Sequence, residues 1–168
     1  MSDWRAPEPI QKSHRTEDFD CTDEDLNRYL KQFAVSNHAS GAAATFVVVQ
    51  ENRVLAYYSL AATSIAYEDA PARAKAGLPK HPVPAVILAR LAVDQTLQGQ
   101  KLGSMLIKHA MRRTLEVSEE IGVRMLVIDA KNERVAALYE RIGFARFEHA
   151  PLKLYMLRKD LAKQLAKP

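Results

Sequence analysis

One cysteine in 168 residues, Cys21, is the sharpest shortage in this chain. A lone thiol closes no intrachain disulfide and builds no cysteine-based metal site, so a disulfide scaffold is excluded and a reducing compartment is expected. Long apolar runs are missing too, and nothing reaches the length that crosses a bilayer. Met1 to Ile10 carries Asp3, Arg5, Glu8 and two prolines where a leader would carry an apolar stretch. Neither secretion nor membrane insertion is expected, and the protein is placed in the cytoplasm. There are no internal repeats and no low-complexity tracts. His81, His109 and His149 show no ligand spacing, and no metal is expected.

What is present suits a small enzyme. A chain of 168 residues is read as a single domain, 1–168, able to bury roughly two-thirds of its unfolded surface. The formal charge of +4 permits an acidic partner without requiring one. Its distribution says more. Glu17 to Asp25 is acidic, whereas Arg73, Lys75, Lys80, His81 and Arg90 lie in or beside one Pro- and Ala-rich connection. That connection reads as a solvated loop or as a surface for a polyanion.

The elements follow from periodicity and punctuation. Pro7 to Lys12 reads as an edge strand, because proline cannot donate to a central ladder. Thr22 to Val35 opens on a capping residue and acids, then places Leu26, Tyr29, Leu30 and Phe33 on one face, as an amphipathic helix does. Thr45 to Gln50 and Val54 to Ile65 flank a polar turn and read as a hairpin. Strand 83–94, helix 101–120, strand 123–129, helix 132–142, strand 152–157 and a short helix from Lys159 complete the order. Strands first, then alternating strand and helix, imply a mixed sheet with helices on both faces.

Two strand-turn-helix units carry the chemistry. In the first, Val83 to Val93 is apolar on both alternating faces except at Arg90, and the following helix begins near Lys101. Between them Gly99 and Gly103 lack side chains that would hold a phosphate away from the helix N-terminus. In the second, Met125 to Ile128 is a buried strand, Asn132 an N-cap, Val135, Leu138 and Ile142 a stripe, and Gly143 a stop. Arg90, a lone charge in an apolar strand, needs a partner; a carboxylate such as Asp129 and a substrate contact are equal alternatives.

The run Gln98-Gly99-Gln100-Lys101-Leu102-Gly103 resembles the acyl-coenzyme A signature of the GCN5-related N-acetyltransferases, the GNAT superfamily, with Lys101 where the middle Gly usually stands. Asn132 to Phe144 resembles the closing motif of the same superfamily. The resemblance implies an α/β (α+β) fold with a mixed central sheet whose two parallel strands splay apart. It implies acetyl-CoA as cofactor, held by Gln98 to Gly103 with Ser104, by the backbone of Leu91, Ala92 and Val93, and by Asn132. Tyr139 is implied as the catalytic group facing the sulfur. The bland reading of Tyr139 is that it extends the apolar stripe.

Phe19-Asp-Cys21, Leu26 to Leu30, Ala39 to Val47, Tyr57 to Leu60 and Ile87 to Asp94 further resemble the acetyltransferase toxins of bacterial toxin-antitoxin modules, the TacT and AtaT group. That likeness covers nearly the whole chain. It implies acetylation of the α-amine of aminoacyl-tRNA, inhibition of translation, and neutralisation by a ribbon-helix-helix antitoxin. On it, Arg73, Lys75, Lys80 and Arg90 are candidates to hold the tRNA acceptor end. No side chain stands out as a general base. An acetyltransferase of small amines or protein N-termini, and a nucleic-acid binding module, are the competing readings. A homodimer is left open.

Overall fold

The structure, a computed structural model, describes residues 4–168. Met1 to Asp3, part of the stretch read above for a leader, lie outside the described residues. The strands are β1 (Glu8–Pro9), β2 (Ala44–Gln50), β3 (Arg53–Ile65), β4 (Val83–Val93), β5 (Met125–Asp129), β6 (Ala145–Phe147) and β7 (Ala150–Leu157). The helices are α1 (Glu24–Arg28), α2 (Ala34–Ser40), α3 (Ala72–Lys75), α4 (Leu102–Glu120), α5 (Glu133–Ile142) and α6 (Arg158–Leu165). The strand order is β1-β2-β3-β4-β5-β7-β6, with both parallel and antiparallel pairs, the mixed sheet expected. The chain forms two compact units, Met1–Ala61 with Ala89–Ala110, and Ala62–Leu88 with Met111–Pro168.

In the first unit β1 pairs with β2, and β2 turns back into β3 through Glu51 and Asn52, whose φ angles of 51° and 65° make the primed two-residue turn that suits a twisted hairpin. The first strand is shorter than the Pro7 to Lys12 expected. The expected single helix is α1, a π-helical turn (Tyr29–Phe33) and α2 in succession. Its cap is Asp23, which accepts from the Asp25 and Leu26 amides, and not Thr22, whose φ is 73°. The π turn adds a residue to the helical repeat, so the Tyr29 carbonyl is answered by Ala34. Ala34 is therefore buried and Phe33, expected inside, is 46% exposed. Phe19, Tyr29, Leu30, Ala34, Val47 and Tyr57 form this unit's core with Ala92.

In the second unit β5 lies between β4 and β7. Its parallel register with β4 runs from Ala85↔Met125 to Leu88↔Ile128, and β4 continues to Val93 past the last pair. All four apolar residues of β5 are buried, as in a strand covered on both faces. Met125 and Val127 join a cluster with Ile65, Ala74, Val83 and Phe147; Leu126 and Ile128 point the other way by alternation. The short strand β6 and the single turn α3 were not expected, being too brief to show a period.

Candidate active site

Within the first unit lie a strand, a turn and a helix start. At the end of β4 Ala92 is buried and Leu91 and Val93 are half-buried. A single 3-10 turn (Gln95–Leu97) follows, then the loop that opens α4. Gly99 and Lys101 take φ angles of 84° and 63°. Left-handed residues alternating with ordinary ones are the backbone habit that gathers successive N–H groups into an anion-binding nest. A Cβ at Gly99 would meet nothing within 4 Å, so glycine serves conformation there and not space. Lys101 holds the same hand with a side chain, at a cost of about 1–2 kcal/mol. Gly103 lies inside α4, where a Cβ would only touch Val93 at 3.9 Å. Gln100, Lys101 and Ser104 are exposed, and Leu102 is buried beneath them.

Gln98 ties this loop down. Its Nε2 donates to the Val93 carbonyl at 3.1 Å and to the Cys21 carbonyl at 3.5 Å. Beside it sits a carboxylate that the sequence reading passed over. Asp94 is 1% exposed and accepts from the Asp20 amide at 3.1 Å, the Thr96 amide at 3.0 Å and the Thr96 hydroxyl at 2.7 Å. Burial pushes its pKa up, but these donors together hold it below the ordinary carboxylate value. Asp20 in turn accepts from the Thr22 amide, Asn27 Nδ2 and Gln95 Nε2. The Asp-x-Thr spacing at 94–96 was the available signal, since such a carboxylate folds back on the amide two residues on.

Asn132 and Tyr139 belong to the second unit. Asn132 is exposed and caps α5 by accepting from the Val135 amide at 3.0 Å. The buried residues of α5 are Ala136 and Tyr139, not the stripe of Val135, Leu138 and Ile142, of which Leu138 is 43% exposed. The inward face of α5 thus lies one residue round from the expected one. The Tyr139 ring meets Phe144 edge-on at 5.7 Å between centroids. Burial pushes its phenol up to about 12. Gly143 ends the helix at φ 124°, with Gln164 Nε2 only 2.6 Å from where a Cβ would sit.

The four basic candidates are differently engaged. Arg73 pairs with both carboxylate oxygens of Asp160, at 3.1 and 3.3 Å. Lys75 donates to the Tyr67 carbonyl at 3.1 Å and lies 4.5 Å from that ring's centroid. Lys80 is exposed. Arg90, half-buried in the first unit, lies over the Tyr29 ring. Asp129, weighed as its partner, is exposed at the end of β5 in the second unit. Arg124 was not anticipated: it donates to the Ala74 and Ala76 carbonyls, both at 2.9 Å, and so fixes the basic connection. Among the described residues no cluster of three metal-ligating side chains occurs, and no helix is long and apolar enough to cross a membrane.

Comparison with known proteins gives a consistent family. Residues 41–146 match the model of the acetyltransferase (GNAT) domain. A tRNA-acetylating toxin of Mycobacterium tuberculosis is 36% identical over 160 residues, 95% of this chain and 96% of that protein. The solved structure of AtaT complexed with acetyl-methionyl-tRNAfMet is 27% identical with a TM-score of 0.86, over 94% of this chain and 97% of that one. A mutant AtaT toxin bound to the C-terminus of the antitoxin AtaR and acetyl-CoA is 25% identical with a TM-score of 0.83, over 99% and 100% of the two chains.

Proposed function

The chain belongs to the GNAT acetyltransferase family, and from that premise we propose that it is an acetyl-CoA-dependent N-acetyltransferase toxin acting on the α-amine of aminoacyl-tRNA. It thereby inhibits translation, works in the cytoplasm with 1–168 as one catalytic domain, and is neutralised by an antitoxin, which the resemblance to the TacT and AtaT group implies to be a ribbon-helix-helix protein. The observation that carries this reading is the 36% identity to a tRNA-acetylating toxin over 95% of the chain.

The loop's chemistry fits the cofactor. Two left-handed residues leading into a helix N-terminus form a cradle for a pyrophosphate, and Gly99 leaves its approach open. Gln98, Gly99, Gln100, Lys101, Leu102, Gly103 and Ser104 are assigned to that end, with Lys101 adding a charge. The backbone of Leu91 to Val93, beyond the last β5 register pair, is assigned to the acyl-pantetheine arm. Asn132 is assigned to the same cofactor. When bound, acetyl-CoA supplies the activated acyl group.

The remaining steps belong to this chain's residues. Tyr139, with its phenol raised to about 12, keeps its proton throughout the working pH range and so donates a hydrogen bond where negative charge develops on the leaving sulfur. The acceptor needs little activation. A lysine amine near about 10.4 is almost wholly protonated at neutral pH, an α-amine near about 7.7–8.0 is partly free, and an esterified amino acid is lower still. No dedicated base is required. Lys80 and Arg90 are assigned to the acceptor end of the tRNA, with Arg73 and Lys75 joining if they exchange their present partners for phosphate.

Purified protein incubated with radiolabelled acetyl-CoA and total aminoacyl-tRNA, beside a deacylated sample, tests the proposal. Label is expected on the charged pool alone. Label on neither pool, with cofactor binding confirmed separately, overturns it.

A further inference from the structure

The second unit contains a cleft of about 360 Å³ that the proposed chemistry does not use, within the range of about 300–1,000 Å³ that small-molecule sites occupy. Arg73, Arg124, Arg158 and Lys159 line it, and no carboxylate does. Val123 and Leu157, both buried, form part of its wall. Gly122 contributes backbone only, and a Cβ there would meet nothing within 4 Å.

The cations are held, not merely scattered. Arg124 is anchored through Nε and one terminal nitrogen by the Ala74 and Ala76 carbonyls, leaving its other terminal nitrogen outside those bonds. Arg158 donates through Nε to the Ser118 hydroxyl at 2.9 Å, which leaves both terminal nitrogens outside that bond. Arg158 and Lys159 are also the first residues of α6, a helix without a side-chain N-cap, so its positive dipole end reinforces the same charge. Asp160 accepts from both terminal nitrogens of Arg73, so Arg73 lines the cleft already paired, while Arg124 and Arg158 keep terminal nitrogens outside the bonds above.

We propose that this cleft is a phosphoryl-binding site, separate from the acetyl-CoA loop, whose ligand is a phosphate group of a nucleic acid or of a free nucleotide-like anion. Guanidinium groups match phosphate oxygens in pairs, which a lone lysine cannot do. Of the cleft's cations only Arg73 belongs to the acceptor-end set, so the site does not rest on the toxin reading, and the titration that tests it involves no acetyl transfer; only the choice between the two anions does.

The test is calorimetric titration of sodium pyrophosphate into the full chain already saturated with coenzyme A, which removes the cofactor loop from the measurement. Binding is expected in the wild type and should weaken on the order of tenfold or more in the Arg158→Glu/Lys159→Glu double variant. Lys31→Glu, an exposed charge reversal half that size on the helix of the first unit, controls for a general charge effect and should leave binding unchanged. Coenzyme A binding by the double variant shows that it is folded. A raised KM for charged tRNA in that variant assigns the phosphate to nucleic acid; an unchanged KM with lost pyrophosphate binding assigns it to a free anion. No binding to the saturated wild type, or equal loss in Lys31→Glu, overturns the proposal.

Discussion

The guanidinium carbon of Arg90 lies 3.6 Å from the centroid of the Tyr29 ring. A charge that breaks an otherwise apolar strand is thus met by an aromatic face from the π-helical turn. Tyr29 itself stacks on Tyr57, at 6.4 Å between centroids, so the contact is supported from below by the core of the first unit.

Arg90→Ala therefore removes packing as well as charge. At a partly desolvated site the pair is worth about 1 kcal/mol, and the melting temperature should fall by roughly 2–4 °C. If Arg90 also holds the acceptor end, the variant raises the KM for charged tRNA while leaving the KM for acetyl-CoA unchanged. A melting shift with neither KM changed confines Arg90 to packing.

Lys101 offers a cleaner separation of conformation from charge. Lys101→Gly and Lys101→Ala both delete the ammonium group, but only glycine relieves the left-handed backbone at φ 63°. The glycine variant should be more stable than the alanine variant by about 1 kcal/mol. Equal rises in the KM for acetyl-CoA in the two would assign that effect to the lost charge. Differential scanning calorimetry and initial rates decide both points.

Gln98→Ala cuts the two bonds that tie the loop to Val93 and Cys21. At about 1 kcal/mol for a typical hydrogen bond, the KM for acetyl-CoA should rise roughly fivefold with a smaller change in kcat. An unchanged KM would show that the loop keeps its shape without the latch.

Asp94→Asn should cost about 1–3 kcal/mol, because an amide cannot accept at both ends where three donors converge on a carboxylate. The native carboxyl is held below its ordinary value. Its contribution is therefore present above the unfolded-state value near about 4 and is lost as pH falls through the folded one. Acid titrations of stability should be steeper for the wild type than for Asp94→Asn; parallel curves would remove Asp94 from the acid response.

These residues also mark where the sequence was legible. The strand-turn-helix units were readable because long apolar strands and glycine punctuation are local signals, and β4, α4, β5 and α5 stand within two residues of expectation. The hairpin of β2 and β3 was readable from its polar turn. Faces were less so. Phe33 is outside because a π turn shifts the repeat, and Leu138 is outside where α5 buries Ala136 and Tyr139 instead. Neither follows from counting by 3.6. The partners of Arg90 and Asp94 lie 61 and 74 positions away in the chain, at Tyr29 and Asp20, and only the fold brings them together.

Tyr139 carries the most direct test of the chemistry. Its hydroxyl is kept protonated by burial, so Tyr139→Phe removes one donor and almost no volume. Turnover should fall by about 10²–10⁴-fold, with acetyl-CoA affinity close to that of the wild type. The pH profile adds a second reading. With the phenol raised to about 12, activity below pH 10 should rise only with the free fraction of the acceptor amine, near about 7.7–8.0 or lower. That rising limb should survive in Tyr139→Phe at the reduced rate. Stability gives the matching sign: a raised folded value is neutral below the unfolded value near about 10 and becomes a loss as pH climbs toward 12, reaching about 2–3 kcal/mol. Tyr139→Phe should remove that alkaline loss in part, the remainder falling to Tyr57, whose phenol burial also pushes up. Equal losses of acetyl-CoA binding and turnover in Tyr139→Phe would make the residue a packing element of α5 and leave the sulfur to another donor.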